Sequence, residues 1–107
     1  MEAARYIVVL ITSDSIEESD HIARTLVEKK MVACVNIVRG IDSYFRWEGK
    51  LDSARENLLI AKTEASLLPD IIDALRKLHS YDVPEVIALP IIGGNQDYLE
   101  WLEQSIA

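Results

Sequence analysis

The sequence predicts one α+β domain of the ferredoxin-like, or split βαβ, class. Patterns typical of strands and helices follow one another in the order β-α-β-β-α-β-α, and the second and third strand patterns are joined by a short turn. The chain has 107 residues, half of them apolar, with no internal repeat and no linker. Because a chain of this size forms a single hydrophobic core, we expect residues 1–107 to be one domain.

The first half of the pattern begins with a continuous apolar run at residues 6–12, which is typical of a strand covered on both faces. Ser15 and Glu18 then form a capping-box pattern, and apolar residues recur at helical spacing at Ile22, Ala23, Leu26 and Val27. This stretch is an amphipathic helix. Residues 32–47 and 51–63 form the two strands of one hairpin, joined by a turn at 47–50. Its polar tip should project beyond the sheet.

The second half begins with a helix that Ser66 can cap, with Pro69 tolerated in the first turn. A loop at 80–84 leads into an apolar strand at 85–92. Since Pro90 cannot donate a hydrogen bond to a neighbouring strand, it must lie at a sheet edge or a bulge. Gly93, Gly94 and Asn95 turn the chain into a short last helix.

Composition and charge exclude several classes of partner. Lys and Arg number 11 against 18 Asp and Glu, a formal net charge of −7. Phosphate backbones and anionic membranes would be repelled, so neither nucleic acid nor a membrane is an expected partner. A single cysteine excludes an internal disulfide, and no Cys/His spacing of the zinc type occurs. Together with the lack of a secretory-signal pattern, this favours a cytoplasmic location.

The strands indicate self-association. They read as buried on both faces, whereas helices in a split βαβ fold cover only one face of the sheet. An uncovered apolar face with a projecting hairpin favours pairing between subunits, with hairpin arms contacting neighbours. Large aromatic residues at the turn and on the last helix are candidate interface anchors: Tyr44, Trp47 and Trp101.

Few residues suggest chemistry. Cys34 lies within a strand and is best interpreted as a small core residue, although a reactive thiolate is an alternative. His21 and Glu17 are one helical turn apart, which favours a solvated pair over a metal site. His79 ends the second helix, where its charge would complement the helix dipole. Its neighbours Tyr81 and Glu85 strengthen a functional interpretation.

Several segments taken together resemble the CutA family, the divalent-cation-tolerance proteins. The segments are Ala-Cys-Val-Asn-Ile at 33–37, Trp-Glu-Gly-Lys at 47–50, Leu-Ile-Ala-Lys-Thr at 59–63, Tyr-Asp-Val-Pro-Glu at 81–85 and Tyr-Leu-Glu-Trp-Leu at 98–102. The resemblance implies a ferredoxin-like subunit in a stable homotrimer, similar in architecture to PII signalling proteins. It also implies an association with tolerance of copper and other divalent ions, no enzymatic activity and no required cofactor.

The chain departs from the family pattern at its copper ligands. The positions that correspond to the family's ligands are Ile11, Leu78 and His79, so only one of the three can bind a metal. Ser80 and Asp82 replace the family's usual Pro and Glu. We therefore expect weak binding of copper or another divalent cation, through His79 and nearby carboxylates.

Three alternatives remain open. The first is a PII-like sensing module in which an intersubunit cleft binds an organic or anionic ligand, with a lining of Trp47, Lys62, His79, Tyr81 and Glu85. The second is a trimer that serves as a scaffold for partner proteins. The third, an acylphosphatase-like enzyme, shares the fold but has no recognisable phosphate loop here, so it ranks last.

Overall fold

The computed structural model describes residues 4–107 and confirms the predicted α+β class. A four-stranded antiparallel sheet has the strand order β2-β3-β1-β4. Its strands are β1 (Tyr6–Ser13), β2 (Cys34–Trp47), β3 (Lys50–Glu64) and β4 (Val86–Pro90). The helices are α1 (Ile16–Glu28), α2 (Leu68–Leu78) and α3 (Gln96–Ser105), and the element order is that of the split βαβ fold. No helix of the described part has both the length and the hydropathy to cross a membrane.

The hydrophobic core lies between one face of the sheet and the helices α1 and α2. Alternate residues of β1 and β3 supply the sheet side: Ile7, Val9, Ile11, Leu59 and Ala61. The helices supply residues at helical spacing: Ile22, Leu26, Ile71 and Leu75. All nine are buried, so this single layer of packing holds α1 and α2 against one face of the sheet.

The predicted hairpin is confirmed, and it extends beyond the rest of the sheet. Pairing of β1 with β3 ends at Ser13 and Asn57, whereas β2 and β3 continue together to Trp47 and Lys50. The connecting turn has positive φ at two successive residues, 51° at Glu48 and 78° at Gly49. Two such residues are typical of the type I′ turn, whose twist matches that of a two-residue hairpin.

A bulge separates the two halves of β2. Val38 pairs with Leu58, but the next pair is Ile41 with Glu56, so β2 contains one residue more than β3 here. Gly40 lies in the bulge with a φ of 69°, and its N–H donates to Asn57 Oδ1 at 3.2 Å. The bulge marks the point at which the hairpin leaves the sheet.

The helix starts differ in how they are capped. Ser15 caps α1 as predicted, because its side chain accepts the N–H of Glu18. The prediction that Ser66 caps α2 was wrong. Residues Ala65–Leu67 form a 3₁₀ turn that leads into the helix, Leu67 is the N-cap without a side-chain bond, and Pro69 lies in the first turn.

The second face of the sheet is partly open. Helix α3 packs across it near the start of β1, where Tyr6 donates to Glu103 and Tyr98 contacts Cys34. Beyond α3, apolar residues of this face are 44–50% exposed: Val38, Ile87 and Leu89. As predicted for a strand that contains Pro90, β4 lies at a sheet edge.

Candidate functional site

A groove with a volume of about 590 Å³ lies beside the hairpin and the loop that precedes β4. Aromatic side chains form much of its lining: Tyr44, Phe45, Trp47 and Tyr81. Four carboxylates also line it: Asp52, Glu56, Asp82 and Glu85. The remaining lining residues are Thr12, Ser43 and Val83. Its volume is within the range of small-molecule sites in proteins, about 300–1,000 Å³.

The innermost carboxylate of the groove belongs to Glu56, at the root of the hairpin. Glu56 is only 7% exposed, and its Oε2 accepts a 2.8 Å hydrogen bond from the hydroxyl of Tyr81. Burial raises the pKa of Tyr81 above its ordinary value, and the bond to Glu56 raises it further. The phenol therefore stays protonated at neutral pH and remains the donor of this bond.

His79 lies directly behind the groove and holds the loop in place. Its side chain is fully buried, the N–H of Tyr81 donates to Nδ1 at 3.0 Å, and Nε2 lies 2.6 Å from the carbonyl oxygen of Thr12. Because Nδ1 accepts, the ring proton is on Nε2 and is donated to Thr12. Both nitrogens of the imidazole are thus engaged within the protein.

Glu18 fixes the same loop from the side of α1. Its carboxylate accepts bonds from the Ser13 hydroxyl at 2.7 Å, the Ser80 N–H at 2.6 Å and the Ser80 hydroxyl at 3.2 Å. Burial by itself raises the pKa of Glu18, but these bonds and the nearby His79 ring outweigh it, so the pKa lies below its ordinary value. Glu18, the second residue of the predicted capping box, therefore anchors the loop rather than capping the helix.

The structure brings together three of the five residues predicted to line a cleft between subunits, and His79 lies behind them. Trp47, Tyr81 and Glu85 line the groove, whereas Lys62 does not. Lys62 lies six residues from Glu56 along β3, roughly 20 Å away in an extended strand, and its Nζ donates to Asn36 Oδ1. Lys62 therefore does not line this groove within one subunit, and its place in a cleft between subunits stays a prediction.

The sequence interpretation assigned no site role to seven residues that line the groove: Thr12, Ser43, Phe45, Asp52, Glu56, Asp82 and Val83. Alternation within the hairpin could have placed Phe45 on the same face as Trp47. The pairing of Phe45 with Asp52 also puts that carboxylate on this face, but the register depends on the bulge. The burial of Glu56 depends on the loop, and no local pattern indicates it.

The candidate interface aromatics are exposed in the single subunit. Tyr44 is 73%, Trp47 63% and Trp101 45% exposed, and Trp101 stacks on Tyr98 with ring centroids 5.3 Å apart. Cys34 lies half-buried on the partly open face, with Sγ 3.7 Å from the Tyr98 hydroxyl. Within residues 4–107, no three His, Cys, Asp or Glu side chains form a group that could hold a metal ion.

Comparison with known proteins shows the family. The model of the CutA1 divalent ion tolerance proteins matches residues 7–105. The chain belongs to the CutA1 family. Divalent-cation tolerance protein CutA of Thermus thermophilus is 46% identical, over 92% of this chain and 95% of its own. The chloroplastic CutA protein of Arabidopsis thaliana is 52% identical over 92% of this chain.

Solved CutA1 structures confirm the fold. The Thermus thermophilus protein has a TM-score of 0.92 and 45% identity, with 94% of this chain and 97% of that chain covered. CutA1 from Oryza sativa has a TM-score of 0.93 and 48% identity, with 96% and 94% covered. The family model and the Thermus thermophilus relative are named for divalent-cation tolerance and not for an enzymatic reaction. The chain spans about half the length of the plant CutA relatives, 54% and 56%.

Proposed function

We propose that the chain acts in divalent-cation tolerance as a homotrimer. The observation that carries the assembly is the apolar sheet face beyond α3, where Ile87 and Leu89 of the edge strand are about half exposed. Contiguous apolar surface of this kind favours contact with another chain. The exposed aromatics Tyr44, Trp47 and Trp101 are the proposed anchors of the interface.

Light scattering tests the assembly. We expect a mass of three chains, and Leu89→Glu should shift the mass toward that of one chain because it places a charge on the proposed interface. Ile16→Glu is the matched control, because Ile16 is 54% exposed on α1, on the helix-covered side of the sheet. A wild-type mass of one chain, or equal dissociation by both variants, contradicts the proposal.

The proposed metal contact is His79 with the carboxylate of Glu18, whose Oε2 lies 3.8 Å from Nδ1. A copper ion at Nδ1 must displace the N–H of Tyr81, so binding is weak and of low specificity. Copper titration by calorimetry tests this contact. His79→Gln should abolish saturable binding, whereas His21→Gln, at an exposed position of α1, should preserve it. Unchanged binding in His79→Gln contradicts the assignment.

We still predict that the protein is located in the cytoplasm. The names of relatives give different compartments. The Arabidopsis protein is called chloroplastic, and the Archaeoglobus fulgidus structure is called periplasmic. Cell fractionation followed by immunodetection of the protein would test the prediction. Recovery in a membrane-enclosed compartment other than the cytosol contradicts it.

A second candidate function is recognition of a small molecule, and the groove is the observation that favours it. Its aromatic walls and its volume of about 590 Å³ suit an organic ligand, whereas a bare metal ion needs several converging ligand atoms. Ligand-observed NMR with a mixed fragment library tests this function. Hits should be lost in Trp47→Ala and preserved in Trp101→Ala, which lies on α3 and does not line the groove. A library without any hit contradicts the candidate.

A further inference from the structure

Glu56 carries a negative charge that has no counter-charge in its own subunit. It is more than nine-tenths buried, and its one hydrogen bond within residues 4–107 comes from the neutral hydroxyl of Tyr81. No basic side chain of the described residues forms an ion pair with it, and the groove that it lines includes no Lys, Arg or His. Because burial of an unpaired carboxylate is costly, a cation from outside the subunit would stabilise Glu56.

Lys62 lies on the face of the sheet that the proposed trimer covers. Its neighbours Ala61 and Thr63 are buried toward the helices, so the Lys62 side chain lies on the opposite, partly open face. Strand pairing places it in one row across the sheet with Val8 and Leu89, and Leu89 is part of the proposed interface. Lys62 is therefore continuous with the surface that a second copy is proposed to contact.

The ammonium group of Lys62 is also without a counter-charge in its own subunit. The side chain is half-buried and donates to the neutral amide of Asn36, and it forms no ion pair within residues 4–107. An apolar interface that closes over this face would remove water from the ammonium group. A carboxylate of the second copy would then be needed to offset the loss of hydration.

The other basic side chains that form no ion pair in this part of the chain are poorer partners for Glu56. Four belong to the helices that cover the other face of the sheet, or directly follow them: Arg24, Lys29, Lys30 and Lys77. Arg46 and Lys50 are exposed at the tip of the hairpin, where water solvates their charges. Lys62 is the one of these cations that the apolar face itself would desolvate.

Glu56 and Lys62 occupy opposite ends of one face. They are six residues apart along β3, so the alternation of the strand places both on the same face, roughly 20 Å from each other. They cannot pair within one subunit at this distance. A ring of three copies brings one patch of each copy against a different patch of the next copy. Two patches with opposite unpaired charges are complementary in such a ring.

We propose that Lys62 of one copy forms an ion pair with Glu56 of the next copy, so that the groove beside the hairpin is complete only in the assembly. The proposal rests on the homotrimer of the proposed function and names the polar contact that orients its subunits. It gives Lys62 a place in the groove that a single subunit does not provide.

A double-mutant cycle tests the pair, with the chain concentration at half-dissociation measured by light scattering in a fixed, subdenaturing urea concentration. Glu56→Gln and Lys62→Gln should each raise that concentration at least about tenfold, because each leaves one desolvated charge unpaired. The double variant should raise it by clearly less than the product of the two effects. Residues about 20 Å apart in one subunit are expected to act independently, so coupling indicates contact between copies. Lys77→Gln, at an exposed position of α2, is the control and should combine independently with Glu56→Gln.

A chemical cross-link gives an independent readout. Cys34→Ala removes the single cysteine, and Glu56→Cys with Lys62→Cys then supplies two thiols for a short bismaleimide. Because such a linker is too short to join these positions within one subunit, we expect species of two and three chains on a denaturing gel. Glu56→Cys combined with Lys77→Cys should yield single chains.

Failure of this proposal is distinguishable from failure of the homotrimer. A wild-type mass of one chain overturns both. A wild-type mass of three chains, with independent effects of the two substitutions and no cross-link, overturns the ion pair and preserves the trimer. Weaker assembly in Glu56→Gln but not in Lys62→Gln also overturns the assignment, because a different group would then be the partner of Glu56.

Discussion

The hydroxyl of Tyr81 donates to the buried carboxylate of Glu56 at 2.8 Å, and this bond joins the loop before β4 to the root of the hairpin. The two residues are 25 positions apart in sequence and meet only because the loop folds back over the middle of β3. His79 supports the same loop by accepting the N–H of Tyr81. The groove therefore has a wall whose position depends on a few specific hydrogen bonds.

Tyr81→Phe removes the donor and leaves Glu56 buried without a partner in its own subunit. Loss of one partner of a buried bond costs about 1–3 kcal/mol, so we expect the free energy of unfolding to fall by that amount. Urea unfolding at a fixed chain concentration measures it, because the stability of an oligomer depends on concentration. Tyr44→Phe is the control, since the Tyr44 ring is 73% exposed, and it should change stability by less than about 0.5 kcal/mol. Equal effects of the two variants would contradict the role of the bond.

Glu18 predicts a specific pH dependence. Its pKa lies below the ordinary value of 4.5, because bonds from Ser13 and Ser80 to the ionised form outweigh the effect of burial. A carboxylate with a lowered pKa in the folded state stabilises the fold fully above its unfolded pKa, and this contribution is lost as pH falls through the folded pKa. Stability should therefore decrease below about pH 4.5 in part through Glu18.

Glu18→Gln tests that assignment. The variant should be less stable at pH 7 and should lose less stability than the wild type between pH 5 and pH 3, roughly the range in which carboxylates titrate. Glu17→Gln lies in the same helical turn but is exposed, so it controls for interaction with the helix dipole. Unfolding curves at several pH values provide the comparison. A pH profile of Glu18→Gln that parallels the wild type would exclude Glu18 as the responsible group.

Backbone strain at the bulge predicts the effect of replacing Gly40 on stability. Gly40 has a φ of 69°, and a Cβ added there would meet nothing closer than 3.9 Å, so the cost of Gly40→Ala is conformational rather than steric. We expect a loss of about 1–2 kcal/mol from the left-handed backbone. Gly93→Ala is the control, because Gly93 has no positive φ and open space around its Cα. It should leave the unfolding free energy unchanged or slightly higher, and a similar loss in both variants would argue against strain.

The fold could be predicted from local patterns because each element has its own signal. Ser15 caps α1, and the continuous apolar run of β1 belongs to a central strand whose inner side chains, such as Val9, are fully buried. Pro90 correctly indicated an edge strand. Only the start of α2 was misassigned, since a 3₁₀ turn rather than the Ser66 side chain begins that helix.

The groove was harder to predict because its charge depends on contacts between distant residues. Tyr81 and Glu85 are part of a recognisable segment, whereas the burial of Glu56 results from the loop that closes over it. Lys62 was predicted for a cleft between subunits, and within one subunit its position further along β3 keeps it out of the groove. His79 was identified as notable, but the engagement of both its nitrogens is visible only in three dimensions.

Replacement of His79 should release the loop as well as destabilise the fold. His79→Ala removes the donor to the Thr12 carbonyl and the acceptor of the Tyr81 N–H, and it leaves a cavity at a fully buried site. We expect the free energy of unfolding to fall by about 2–4 kcal/mol, the range for a large-to-small change that also leaves polar groups unpaired.

Hydrogen exchange at the Tyr81 amide of His79→Ala should accelerate by more than the change in global stability requires, because the local bond is lost. His21→Ala, at an exposed site on α1, should change neither quantity beyond about 0.5 kcal/mol in stability. Slow exchange of the Tyr81 amide in His79→Ala would mean that another contact holds the loop.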